Sequence, residues 1–177
     1  MIYAGYTPKK SSDEQYTPAY AVAPIIKYIP GNKIVWCPFD TEHSEYVLAL
    51  KAAGIRVVHS HILTGEDFFV YEPEEWDLIV SNPPYIARAE METLSPQVRW
   101  EPEMALLGGE DGLDFYRALP RIWMPLLRPG GYIAFEVGYT QADTVAGLLG
   151  RSGYQSCSVE RDLAGIRRVV WAQRPKD

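Results

Sequence analysis

The stretch Glu75-Trp76-Asp77-Leu78-Ile79-Val80-Ser81-Asn82-Pro83-Pro84-Tyr85 decides how this chain folds. Its first seven residues form an apolar run closing on a polar residue, the pattern of a buried strand. Two consecutive prolines cannot extend a hydrogen-bonded ladder, so the strand stops at Ser81 and the backbone turns rigidly. A polar amide, a stiff turn and an aromatic ring then stand at the carboxyl end of a strand, where open α/β sheets bind ligands. The bland alternative is a strand-ending turn with a packed tyrosine.

Such a turn suits chemistry at a planar nitrogen. The lone pair of an amide or exocyclic amino nitrogen is delocalised into the neighbouring π-system, which makes it a poor nucleophile. Accepting hydrogen bonds from both of its N–H groups pulls it toward tetrahedral geometry and stabilises the charge that develops. The Asn82 side-chain carbonyl supplies one acceptor and the Pro83 backbone carbonyl the other. Pro84 adds rigidity, and the Tyr85 ring can stack on the planar group and hold it in line with an electrophile.

Outward from this turn, strands alternate with helices. Strands are expected over 33–37, 55–61, 75–81, 132–137, 155–159 and 168–172, and helices over 19–28, 44–53 and 140–151. Another helix is expected over 113–127, kinked or split by Pro120 and Pro125. The pattern predicts a mostly parallel, doubly wound sheet in a single domain spanning 1–177, with residues 1–13 loosely ordered. The last two strands are joined too closely for a crossover, so they should pair antiparallel at an edge. The connection from 55 to 83 has no room for a full helix-strand-helix, so the first half of the sheet is expected to be shortened.

Composition narrows the function classes. At 177 residues, 47% hydrophobic and 23% charged, the chain is of ordinary globular type. Its apolar runs fall short of the ~18 residues a membrane span needs. The first ten residues carry no apolar core of a secretory signal. Cys37 and Cys157 lie in strand-like runs and are expected to be buried, reduced thiols of a cytoplasmic protein. Three histidines and two cysteines without ligand spacing point away from a metal. A net charge of −6 without any Lys/Arg block counts against a nucleic-acid substrate. Arg161, Arg167 and Arg168 are read as solvated strand-end charges.

The ordered motifs resemble a known group. Ser81 to Ile86, the run Glu101-Pro102-Glu103-Met104-Ala105-Leu106-Leu107-Gly108-Gly109-Glu110-Asp111-Gly112-Leu113-Asp114-Phe115-Tyr116, Leu127 to Gly131, Phe135 to Gly138 with Gln141, and Asp162 to Gly165 with Arg168 to Val170 resemble the release-factor glutamine methyltransferases. This resemblance covers roughly residues 77–174. It implies a Rossmann-like class I fold, S-adenosylmethionine as cofactor, a release factor as partner and N5-methylation of its glutamine. It also leads one to expect a helical docking domain of about 70 or more residues, a size in the usual domain range, which this sequence does not show. Residues 13–85 instead resemble small phage-type adenine methyltransferases, and the two likenesses join near 80–86, as in a fusion or chimera. Two alternatives follow: a DNA adenine-N6 methyltransferase, or an inactive scaffold.

The resemblance implies roles for particular residues. Asn82, Pro83, Pro84 and Tyr85 would form the catalytic turn, with Asn82 also touching the cofactor. Tyr16, Thr17 and Pro18 would lie over its methionine part, or else begin a helix. Asp40 would bind its ribose or amine, or else cap the following helix. Asp67 and Phe68 would read its adenine ring, or else form a turn and core. Tyr85, Glu101 and Pro102 would shape the substrate side, Glu136 is read as structural, and the histidines as incidental. The first strand is followed by Pro38-Phe39-Asp40-Thr41 instead of a glycine-rich loop, so cofactor contact is expected to shift toward side chains.

Overall fold

Four apolar runs place β1 (Ile34–Pro38), β2 (Arg56–Ser60), β3 (Leu78–Ser81) and β4 (Tyr132–Glu136) side by side and parallel. The computed structural model describes residues 25–27, 29–61, 64–66, 71–96, 98–100, 102–162 and 164–176. Within them β5 (Gln155–Arg161) and β6 (Arg167–Gln173) complete a six-stranded sheet of order β2-β1-β3-β4-β6-β5. Strands β1 and β3 are buried along their whole length, which is why their sequences run apolar instead of alternating. β6 lies antiparallel between β4 and β5, leaving β5 at the edge. The class of fold is therefore the expected mostly parallel α/β sheet with an antiparallel closing pair. Among the described residues no strand intervenes between β2 and β3.

The period-two alternation of the strands sorts their side chains onto two faces. Trp36, Ile79, Ile133, Phe135, Val170 and Ala172 pack with α3 (Asp114–Trp123) and α4 (Ala142–Arg151), through Tyr116, Leu119, Trp123, Val145 and Leu149. On the other face Val35, Cys37, Val80 and Ala134 pack with Tyr46, Val47 and Leu50 of α1 (Glu45–Ala52). The short helix α2 (Glu103–Leu106) stands apart, between β3 and α3. At the amino-terminal edge the Asp77 carboxylate accepts the Ile34 N–H at 3.0 Å and a Lys33 Nζ bond at 3.2 Å. These partners, with Arg128 nearby, outweigh its partial burial and hold its pKa below the usual carboxylate value. Asp77 thus fastens the start of β1 to that of β3.

Several expectations need correction. Pro120 sits inside α3 without ending it. The helix stops at Trp123, before Pro125. The Pro120 carbonyl instead accepts both the Met124 N–H and the Tyr154 hydroxyl, each at 3.1 Å. Cys157 is exposed, because β5 is the sheet edge, whereas Cys37 is buried. Arg167 is not simply solvated: its guanidinium makes two bonds, 2.7 and 2.6 Å, to Asp143 of α4. Arg168 bonds the Val137 carbonyl at 3.2 Å, and Arg161 that of Gly165 at 2.6 Å. Most of the helix expected over 19–28 lies outside the described residues. Among those residues no helix is long and apolar enough to cross a membrane.

Candidate functional site

The carboxyl ends of β1, β3 and β4 meet at one edge. Trp36 faces Ile79 and Ser81 faces Phe135 in register, so Phe39, Asn82 and Glu136 follow on neighbouring strand ends. Chain order also reverses here: from β1 the sheet grows outward to β2 on one side and to β3 and β4 on the other. That is the switch point at which doubly wound sheets bind ligands.

The turn after β3 is clamped from several sides. Pro83 and Pro84 are buried, while Asn82 and Tyr85 are half-buried. Ile86 then pairs in parallel with Leu107: its N–H donates to the Leu106 carbonyl at 2.9 Å, and the Gly108 N–H returns to Ile86 at 2.9 Å. The Arg88 N–H reaches the Gly109 carbonyl at 3.0 Å. At two positions of this brace the turn itself leaves room only for glycine. A Cβ on Gly108 would sit 2.7 Å from the Pro84 carbonyl oxygen, and one on Gly112, at φ +74, would strike that of Tyr85. The Gly-Gly-Glu-Asp-Gly run is therefore a brace for the Asn82–Tyr85 turn.

Gln141, just ahead of α4, completes the clamp. Its amide donates to the Tyr85 carbonyl at 2.9 Å and the Gly112 carbonyl at 3.2 Å, and accepts the Gly138 N–H at 2.9 Å. In the sequence it marked only one matching position; its signal is a glutamine three residues beyond a strand-end glycine.

An acidic group lies beside the turn. Burial raises the Asp40 carboxyl to about 7; a Ser44 hydrogen bond opposes this and the Glu136 charge adds to it. Glu136 accepts the Tyr46 hydroxyl at 2.9 Å, and its backbone carbonyl accepts the Tyr116 hydroxyl at 2.6 Å. Burial first, and then Glu136, pushes the Tyr46 phenol well above its ordinary value. The Cys37 thiol is likewise raised, by burial and then by Asp40. Two carboxylates thus flank the turn from β1 and β4, an arrangement suited to a proton or a cationic group.

Placement of the sequence-predicted residues is uneven. Asn82, Pro83, Pro84, Tyr85 and Asp40 come together at this edge. The capping alternative for Asp40 does not hold, since Ser44 occupies the N-cap of α1. Glu136 ties β4 to Tyr46, as a structural residue would, and also contributes to the acidic group. Pro102 is exposed at the N-cap of α2, whose far end leads into the brace. Tyr16, Thr17, Pro18, Asp67, Phe68 and Glu101 lie outside the described residues. Sequence reasoning missed the left-handed backbone of Phe39, φ +74, at the position of the absent glycine loop. Its ring stands edge-on to Phe115, with centroids 6.4 Å apart.

The fold with this edge is that of a class I methyltransferase. A protein-(glutamine-N5) methyltransferase (release factor-specific) from Alicyclobacillus acidocaldarius superposes with a TM-score of 0.57 at 22% identity, covering 94% of this chain and 99% of that one. In sequence the chain is homologous to release factor glutamine methyltransferases. It is 48% identical over 130 residues to that of Cereibacter sphaeroides, covering 73% of this chain and 47% of the relative. It is 49% identical over 150 residues to that of Geobacter sulfurreducens, covering 82% and 51%. The chain thus spans about half the length of the curated relatives it matches. No family model matches the sequence. An alignment over 82% of the chain reaches well into the amino-terminal half, so the likeness is wider than residues 77–174. The phage adenine methyltransferase likeness of that half is not carried by these relatives.

Proposed function

We propose that this chain is a single methyltransferase domain that transfers a methyl group from S-adenosylmethionine to the side-chain amide nitrogen of a glutamine in a release factor. The observation that carries the proposal is the Asn82-Pro83-Pro84-Tyr85 turn, clamped at the switch point of the sheet. In this reading the Asn82 and Pro83 carbonyls accept the two N–H groups of the substrate amide, and the Tyr85 ring stacks on its plane. The nitrogen so held would receive the methyl group that the cofactor supplies and give its surplus proton to water. Positioning and charge stabilisation carry most of the barrier reduction, so no acid or base catalyst is assigned.

The cofactor, when bound, supplies an electrophilic methyl group on a cationic sulfur. The residues present fit such a group through their charge: Asp40, with Glu136 beside it, is costly to ionise unless a cation balances it. Asp40 and Asn82 would hold the cofactor. The Phe39 loop replaces the backbone cradle of glycine-rich sites with side-chain contact. A release factor is the partner in this reading, and the location is cytoplasmic.

The test is transfer of a tritiated methyl group to a purified release factor, with duplex DNA assayed in parallel. The expected result is label on the release factor alone, lost in Asn82→Ala. Label on DNA alone, or equal labelling of parent and variant, would overturn the assignment.

A further inference from the structure

Gln141 is half-buried and lies outside the turn, yet its one carboxamide joins three backbone segments. Both segments it donates to, at Tyr85 and Gly112, belong to the turn and its brace, and the segment it accepts from, at Gly138, is the end of β4. Two glycines make room for it. A Cβ on Gly138 would lie 2.8 Å from its Oε1, and one on Gly112 the same 2.8 Å from its Nε2. Gly138 also lies against the Tyr85 ring, where an added Cβ would be 3.4 Å from Cδ2. The Tyr85 carbonyl and ring are thus both referred to the end of β4 through the Gly138–Gln141 unit.

We infer that Gln141 is a positioning residue that sets the Asn82–Tyr85 turn against β4. Its kinetic consequence rests on the methyltransferase reading; the clip itself does not. The chemistry requires an amide. Two carbonyls need N–H donors and one N–H needs an acceptor, and glutamine supplies both from a single planar group. Glutamate has nearly the same size but, when ionised, only accepts. Gln141→Glu would therefore keep the Gly138 bond, lose both others and set a negative charge against two carbonyl oxygens. Gln141→Ala would lose all three.

Amide hydrogen exchange on the intact chain reads this directly. In Gln141→Glu, exchange at Ile86 and Arg88 should quicken by about tenfold or more through local opening, while Gly138 and the β4 amides keep their protection. In Gln141→Ala, Gly138 should lose protection as well. A merely structural residue would speed β4 and the turn alike, and that outcome, or unchanged exchange at Ile86 and Arg88, would overturn the inference. With a release factor as acceptor, kcat should fall by about ten- to a hundredfold, the loss that small misplacements cause. Unchanged kcat in an active parent would also overturn the inference. Should the parent transfer no methyl group, the functional reading fails, and the exchange contrast still decides the role of Gln141.

Discussion

Asp40 makes stability depend on pH in a direction opposite to that of most carboxylates. Its carboxyl is raised to about 7 in the folded chain, against roughly 3.9 for an unfolded aspartate. Between those values the folded state holds a proton that the unfolded state releases, so this contribution is full below about pH 4 and is lost as pH rises toward about 7. Asp40→Asn, which mimics the protonated form, should remove that slope. Discounted for the part of the side chain that water reaches, it should raise stability at pH 8 by roughly 1–3 kcal/mol and leave it little changed at pH 4. Urea unfolding at the two pH values checks this; an equal effect at both would contradict it. A cationic ligand works the other way, favouring ionised Asp40 and binding more tightly as pH rises through 7. Asp40 was legible in the sequence as a polar residue after the first strand, but its choice between ligand contact and helix cap was not. Ser44 is an equally good cap, and only the folded chain shows which of the two stands there.

At the scale of elements, the brace from Leu106 to Gly112 holds the candidate turn, and its glycines are not interchangeable with others in the chain. Gly112 has φ +74 and the Tyr85 carbonyl where a Cβ would go, whereas Gly150 in α4 has nothing within 4 Å. Gly112→Ala should therefore cost about 1–3 kcal/mol through backbone strain and collision. Gly150→Ala should instead stabilise by about 0.4–1 kcal/mol through helix propensity and loss of unfolded-state freedom. Thermal and urea unfolding of the two variants measures the contrast, and the same sign for both would refute it. The clustered glycines were visible in the sequence. That they brace the turn was not, because the contacts with Pro84 and Tyr85 join segments more than twenty residues apart. Phe39 was unreadable for a different reason. Glycine is the usual mark of a left-handed position, and here a phenylalanine takes it, at a cost of about 1–2 kcal/mol.

For the whole molecule, the alternation of strands and helices was enough to predict the parallel sheet and its antiparallel closure. The placement of β6 inside β5 was beyond reach, since strand order depends on packing with α4 and not on local pattern. The substrate is the least legible part: it depends on a docking surface, and the matched portions cover only about half of each curated relative. The cofactor is nearer to hand, because Asp40, Asn82 and Glu136 gather on adjacent strand ends whatever the substrate is. Calorimetric titration of the chain with S-adenosylmethionine tests that claim most directly. The expected result is one saturable site with Kd in the range of about 1 μM to 1 mM, the span of ordinary enzyme sites, weakened in Asp40→Asn. Absence of saturable heat up to millimolar cofactor, with the chain folded, would contradict it.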